Sequence, residues 1–348
     1  MKQLILFLIF RLQLYAIWRH WNRKKITILM LHGIAGDSHD TNWSPLWERP
    51  PVDRMVSVLE QLKSHYTLLT LEEAVRILEG SAPPVDHGLV LTFDDGYRNN
   101  FSVALPRLNE ISVPATFFVA TGFVETQQAY WVDRLDYALQ QAPDEQRLLE
   151  GHGHRFDLRG LDREALASSY RNLRQTLKKR EREDKGLLRV VDAFSESLEG
   201  LTGTSVTEII DTDPNISVAT WAEQKAAVDA GATIGSHSVD HFRLTAIPKS
   251  DVDGQLVESK KAIEEELGVE CDFFCYPNGS VDDFVRERTR EAGYRAAVTT
   301  VRGLNSIGDD LHSLKRHGMP MSEDERKNLL QISGILESRL AKAILGTG

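Results

Sequence analysis

An α/β fold built on a parallel sheet is predicted by two regularities of the sequence. Short apolar runs rich in β-branched and aromatic residues recur along the chain, and amphipathic stretches of helical length separate them. Several of those stretches stop at a glycine, at Gly80, Gly231, Gly268 and Gly293, where a left-handed residue closes a helix without steric cost.

In chain order, strands are expected at Ile26 to Leu31, Leu89 to Phe93, Ala115 to Ala120, Thr233 to Ser236, Asp272 to Tyr276 and Ala296 to Thr300. Helices are expected at Val52 to Ser64, Leu71 to Glu79, Asn99 to Ile111, Trp221 to Ala230, Asp251 to Leu267 and Val281 to Ala292. Between about Gln140 and Pro214 the alternation breaks, and long charged helical patterns predict a helical insertion. It reads either as a lid or platform beside a site or as a passive surface excursion. A terminal helix is expected from Glu323 to about Leu345, and residues 25–345 are read as one domain, since barrels reach this size undivided.

Residues 1–24 stand apart. Their apolar run from Leu4 to Phe10 is interrupted at Arg11, too short and broken to predict a membrane span. There is no clear small-residue cleavage site, hence no clear cleavable signal peptide. Trp18, Trp21 and the basic end suit a helix lying in a membrane interface, with a terminal helix packed on the domain as the alternative. Location stays open between cytoplasmic and membrane-associated.

Composition narrows the function classes. Hydrophobic residues at 41% and charged residues at 26% describe a globular enzyme rather than a disordered or fibrous chain. The net charge of -10 repels a phosphate backbone, and the basic cluster from Arg171 to Arg189 is interleaved with Glu181, Glu183 and Asp184, so nucleic acid is not an expected partner. Cys271 and Cys275 sit four apart in an expected strand, where their Cα atoms lie ~13 Å apart. A disulfide, which needs ~7 Å or less, is excluded there.

Two segments carry chemistry. In GLVLTFDDGY an apolar strand runs straight into Asp94 and Asp95, and a turn at Gly96 can bring both carboxylates to the strand-end mouth where parallel folds place their sites. Two such charges repel unless a cation separates their roles. In TIGSHSVDHFRLT, His237 and His241 follow another strand four residues apart, a spacing that on a helical turn puts both imidazoles on one side. One carboxylate and two imidazoles form a facial set that leaves positions open on a metal, and the second carboxylate is then available as a base.

These segments, TFDDG at Thr92 to Gly96, HSVDH at His237 to His241 and FFCYPNG at Phe273 to Gly279, resemble the signatures of the polysaccharide deacetylases, the chitin deacetylase-like carbohydrate esterases. The similarity runs in the same order through ILMLHGI near His32, PATFFVATGFV, WVDRLDYAL and EAGYRAAVTTVRGLN, and covers roughly Ile26 to Met319 apart from the insertion.

The resemblance implies a distorted (β/α) barrel of seven or eight strands and a divalent metal, commonly zinc, bound by Asp95, His237 and His241, with Asp94 as general base. It implies an oxyanion donor in the backbone N–H of Tyr276, in a loop that Pro277 stiffens, and a C-terminal histidine as acid, with His317 preferred over His312 and neighbouring Arg316 placed to orient Asp94. The family's Asp-Trp support is missing, since no Trp follows Trp221. His32 matches a family histidine expected at the mouth; His32, Tyr97, Pro277 and Arg316 are the expected substrate-binding residues, and Tyr97 and Trp131 are candidates to stack on sugar rings. The implied activity is removal of N-acetyl groups from N-acetylhexosamine units of a polysaccharide or glycan. The rivals are an amidase or deformylase acting on a non-polymeric amide, and a carbohydrate-binding protein without catalysis.

Overall fold

The expected strands lie side by side with their apolar side chains covered on both faces, as a parallel sheet requires. The structure, a computed structural model, describes residues 10–35, 43–47, 49–151, 154–180 and 184–338. Among these the strands are β1 (Thr27–Leu31), β2 (Thr67–Leu68), β3 (Gly88–Phe93), β4 (Ala115–Val119), β5 (Leu148–Gly151), β6 (His154–Asp157), β7 (Thr233–Ser236), β8 (Phe273–Cys275), β9 (Ala296–Val298) and β10 (His317–Gly318). The main sheet is parallel in the order β10-β1-β3-β4-β7-β8-β9, with β2 beside β3.

The chain just before β10 closes the ring. Thr299 N–H donates to the Leu314 carbonyl at 2.8 Å and Arg316 N–H to that of Val301 at 2.9 Å, while His317 and Gly318 pair with Leu29 and Met30 on the other side. The sheet is therefore the distorted (β/α) barrel that the resemblance implied, with one end of its lumen presenting the residues that follow each strand.

The helices are α1 (Leu14–Trp21), α2 (Val52–Lys63), α3 (Leu71–Glu79), α4 (Leu105–Glu110), α5 (Thr121–Thr126), α6 (Trp131–Gln141), α7 (Arg163–Arg180), α8 (Asp184–Thr202), α9 (Trp221–Asp229), α10 (Lys249–Leu267), α11 (Asp283–Glu291) and α12 (Glu325–Gln331). α3 and α9 begin at capping boxes, Thr70 with Glu73 and Thr220 with Glu223, and α3 ends at Gly80 with φ 81°. The helix expected from Asn99 to Ile111 opens instead with a π turn over Asn100–Ala104. Pro106 has no N–H to give the carbonyl of residue 102, which favours the wider turn there.

Between β4 and β7 the chain leaves the barrel. The charged pattern predicted helices alone, but the hairpin β5–β6 precedes α7 and α8. Tyr170, Leu173, Phe194 and Leu198 form a separate apolar core with Leu135 and Leu139 of α6. The expected C-terminal helix is cut to α12, because Gly334 turns left-handed at φ 76°, and residues 339–348 lie outside the described ones. Of the expected N-terminal helix, α1 is described. It buries Tyr15 and is held by Arg19, which donates to the His65 carbonyl at 2.9 Å, while Leu12, Ile17 and Trp21 are exposed. No helix among the described residues is long and apolar enough to cross a membrane.

Candidate active site

Asp94 directly follows β3 on the lumen side and is almost wholly buried. Both its oxygens are taken by the fork of Arg316, at 2.7 Å each. Arg316 is itself fixed by the Thr299 carbonyl at 2.9 Å, the Thr92 hydroxyl at 3.0 Å and the Cys275 sulfur at 3.1 Å. Burial works to raise the Asp94 pKa, yet the charge and hydrogen bonds of Arg316 outweigh it and hold the carboxyl below its ordinary range. Asp94 is thus a carboxylate of fixed charge and orientation.

Asp95 turns the other way. Its φ of 72°, followed by Gly96 at 66°, swings its side chain back to the mouth, and Tyr130 OH pins its carbonyl at 2.7 Å. Its Oδ1 is buried without a hydrogen-bond partner, 3.4 Å from His237 Nε2 and 3.3 Å from His241 Nε2. Ligand atoms held ~2.0–2.2 Å from a tetrahedral divalent ion stand about 3.3–3.6 Å apart. His237 Nδ1 donates to the Cys275 carbonyl at 2.7 Å, which fixes the tautomer whose Nε2 lone pair faces Asp95. Spacing, burial and donor type all fit a divalent cation. A second buried group, Asp94 with His237 and Cys275, fits poorly, because the Arg316 cation already fills it.

The two histidines do not lie on a helical turn, as their spacing predicted. Ser238 and His241 have left-handed φ values of 68° and 57°, and the loop is tied by Ser238 Oγ to the His241 N–H at 3.0 Å. Asp240, between them, faces away and is read on both sides by Gln255.

Several expected roles are corrected by position. The Tyr276 N–H donates to the Val298 carbonyl at 3.2 Å as part of the sheet, and its hydroxyl bonds the His312 carbonyl, so it is committed away from the mouth. Pro277 is buried and lies off the cavity wall, which Asn278 lines instead. Arg316 is enclosed and reaches Asp94, not a substrate. His317 is the strand neighbour of inward-facing Arg316 and pairs with Leu29, so alternation sends its ring to the helix side of the barrel. Burial and Arg302 push its pKa down to about 4, leaving it neutral at ordinary pH. His312 is bonded to the Tyr294 carbonyl.

Comparison with known proteins gives the fold and chemistry a family. The sequence profile of the polysaccharide deacetylases matches residues 82–207 and 201–297. The chain belongs to the polysaccharide deacetylase family. That places it among hydrolases that deacetylate carbohydrates. It is 19% identical over 293 residues to the candidate polysaccharide deacetylase YxkH of Bacillus subtilis, covering 84% of this chain and 70% of YxkH. The deacetylase PplD of Streptococcus pyogenes, solved in complex with acetate, overlays with a TM-score of 0.56 at 20% identity, covering 89% of this chain and 98% of PplD. IcaB from Ammonifex degensii overlays at 0.55 and 16% identity, covering 89% and 97%. At these identities the overlays establish the shared fold.

In this deacetylase-family barrel the site opens into two adjoining cavities of about 890 and 550 Å³ that share Tyr130, Trp131, His241 and Asn278. His32 lies on the wall of the larger one, its pKa lowered by burial although Asp95 and Asp94 pull the other way. Tyr97 lies there too, but it is not open to stacking: Arg49 covers its ring at 4.1 Å, and its hydroxyl donates to Asp133 at 2.7 Å. Trp131, half-buried, lines both cavities. The sequence reading missed Trp47, Arg49, Asp133, Arg174 and Asn278. Asn278 had a signal, because Asn before Gly in a turn tolerates its φ of 55°, and Asp133 lay within the resembling segment WVDRLDYAL, whereas Trp47, Arg49 and Arg174 belong to a loop and a helix outside the resembling segments.

Proposed function

We propose that the chain is a metal-dependent hydrolase that removes N-acetyl groups from N-acetylhexosamine units of a polysaccharide or glycan. The observation carrying this reading is the contrast between adjacent carboxylates, Asp95 with an unpartnered oxygen at ligand spacing from two imidazoles and Asp94 locked by Arg316. A divalent cation, zinc by family likeness, held by Asp95, His237 and His241 would polarise the acetamide carbonyl and acidify a water. Asp94 takes the proton of that water, and Arg316 keeps it charged and aimed. His32, the cavity histidine outside the ligand set, is assigned to relay to the departing amine the proton that Asp94 takes from the water. The two joined cavities suit consecutive sugars better than a small isolated amide. We also propose that the exposed apolar side of α1 makes peripheral membrane contact, and that nucleic acid is not a partner.

The test is release of free acetate and free amine from N-acetylglucosamine oligomers, peptidoglycan and simple acetamides. Release from glycans is expected to vanish on chelation and return with zinc or cobalt. Release unaffected by thorough chelation, or seen with simple amides alone, would remove the proposal.

A further inference from the structure

The larger cavity carries a positive charge that no ion pair among the described residues neutralises. Arg174, on α7, is 7% exposed and lines this cavity, its guanidinium 3.5 Å from the centre of the Trp47 ring and 5.7 Å from that of Tyr170. Its Nε is buried without a hydrogen-bond partner. No carboxylate among the described residues pairs with it. Asp133 is already engaged by Arg49 at 3.2 Å and by Tyr97 at 2.7 Å. Asp136 accepts from the Leu46 N–H at 2.8 Å and from Gln140 at 2.7 Å.

Two aromatic rings can hold a guanidinium in place, but they do not discharge it. A cation buried without a counter-ion is unfavourable unless an anion arrives. A rigid planar fork is the group that binds carboxylate and phosphate by paired hydrogen bonds. Asp95, His237 and His241 line the same cavity of about 890 Å³, so a group on Arg174 and an acetamide at the ligand set can belong to one molecule.

Resting on the deacetylase reading above, we infer that the substrate is an anionic glycan, in which the N-acetylated sugar or its neighbour carries a carboxylate or phosphate bound by Arg174. The outer wall then selects charge while the barrel supplies chemistry.

The test compares N,N'-diacetylchitobiose, N-acetylmuramic acid and N-acetylglucosamine 1-phosphate, binding to the zinc-loaded full chain being measured by calorimetry. At least one anionic probe is expected to bind about tenfold or more tightly than the neutral sugar, with a margin that shrinks as salt is raised. Preference for both anions assigns the shared chemistry, and preference for one assigns that source. Arg174→Gln should abolish the margin and Arg174→Lys keep part of it, with thermal melts confirming that each variant folds. Should either fail to fold, the comparison among the three probes on the native chain still decides.

Equal affinity for all three probes, or an anion preference that survives Arg174→Gln because the metal alone provides it, overturns the inference. Acetate release is read separately. A charge preference without acetate from any probe sinks the deacetylase reading and keeps this one, whereas acetate release without a preference does the reverse.

Discussion

The floor and the outer wall of the site are built on opposite terms. On the floor, barrel strands hold Asp94 and Arg316 with every charge matched and each bond made to a buried neighbour. On the wall, Trp47 and α7 bring up Arg174 with its charge unmatched. A site that must break the same bond each time gains from a floor fixed before the substrate arrives. Discrimination between substrates is better placed on elements outside the barrel, which can change without disturbing the strands. On the floor itself the unmatched group is Asp95 Oδ1, and that is where a cation fits.

The largest test of this contrast is made on the paired carboxylates. Asp95→Ala should lose bound metal and activity together, with turnover falling by ~10³-fold or more. Asp94→Asn should keep the metal at native stoichiometry and still lose ~10²–10⁴-fold in kcat, as expected for removal of a general base. Metal analysis beside acetate release separates the two. Equal metal loss in both variants would show that the floor does not divide its labour in this way.

Next in size is Arg316. Arg316→Lys keeps a cation but loses the paired fork, and kcat should fall by about 10–10²-fold with KM little changed. Arg316 is what holds the Asp94 carboxyl below its ordinary range against burial, so weakening the pair raises that pKa. A base works only when deprotonated, so the acid limb of the kcat/KM profile should move to higher pH. An unmoved limb with lower kcat would make Arg316 a packing residue and no more.

How much of this was legible in the sequence follows from distance along the chain. Asp94 and Asp95 follow one apolar strand directly and His237 another, with His241 four residues on, so a local pattern pointed to them. The fold was readable for the same reason, since its repeating strand and helix units each fit in a short window. The local path of the HSVDH segment was not, because a spacing of four suits both a helical turn and the left-handed loop that Ser238 ties. His317 was put on the wrong face, because a strand of two residues shows no alternation from which to read its inner side. The wall was illegible, since Trp47 and Arg174 come from elements outside the barrel whose meeting depends on tertiary packing.

The smallest expected effect on activity comes from His317, and it is sharpest when set against His32. His32→Gln should lower kcat on acetamides by ~10²-fold while sparing aryl acetates, whose leaving group needs no proton. His317→Gln should leave both activities within about threefold, since its ring lies on the helix side of the strand. Its signature is in stability. Burial lowers the His317 pKa from 6.5 to about 4, so between those values the unfolded chain binds more protons than the folded one. Stability is therefore undiminished by this group above pH ~6.5 and falls as pH drops toward 4, by ~3 kcal/mol at most. Melting temperature followed across that window should decline less in His317→Gln than in the native chain. A hundredfold loss of kcat with an unchanged stability profile would instead return His317 to the role of catalytic acid, and the inward and outward assignment of the closing strand would have to be reversed.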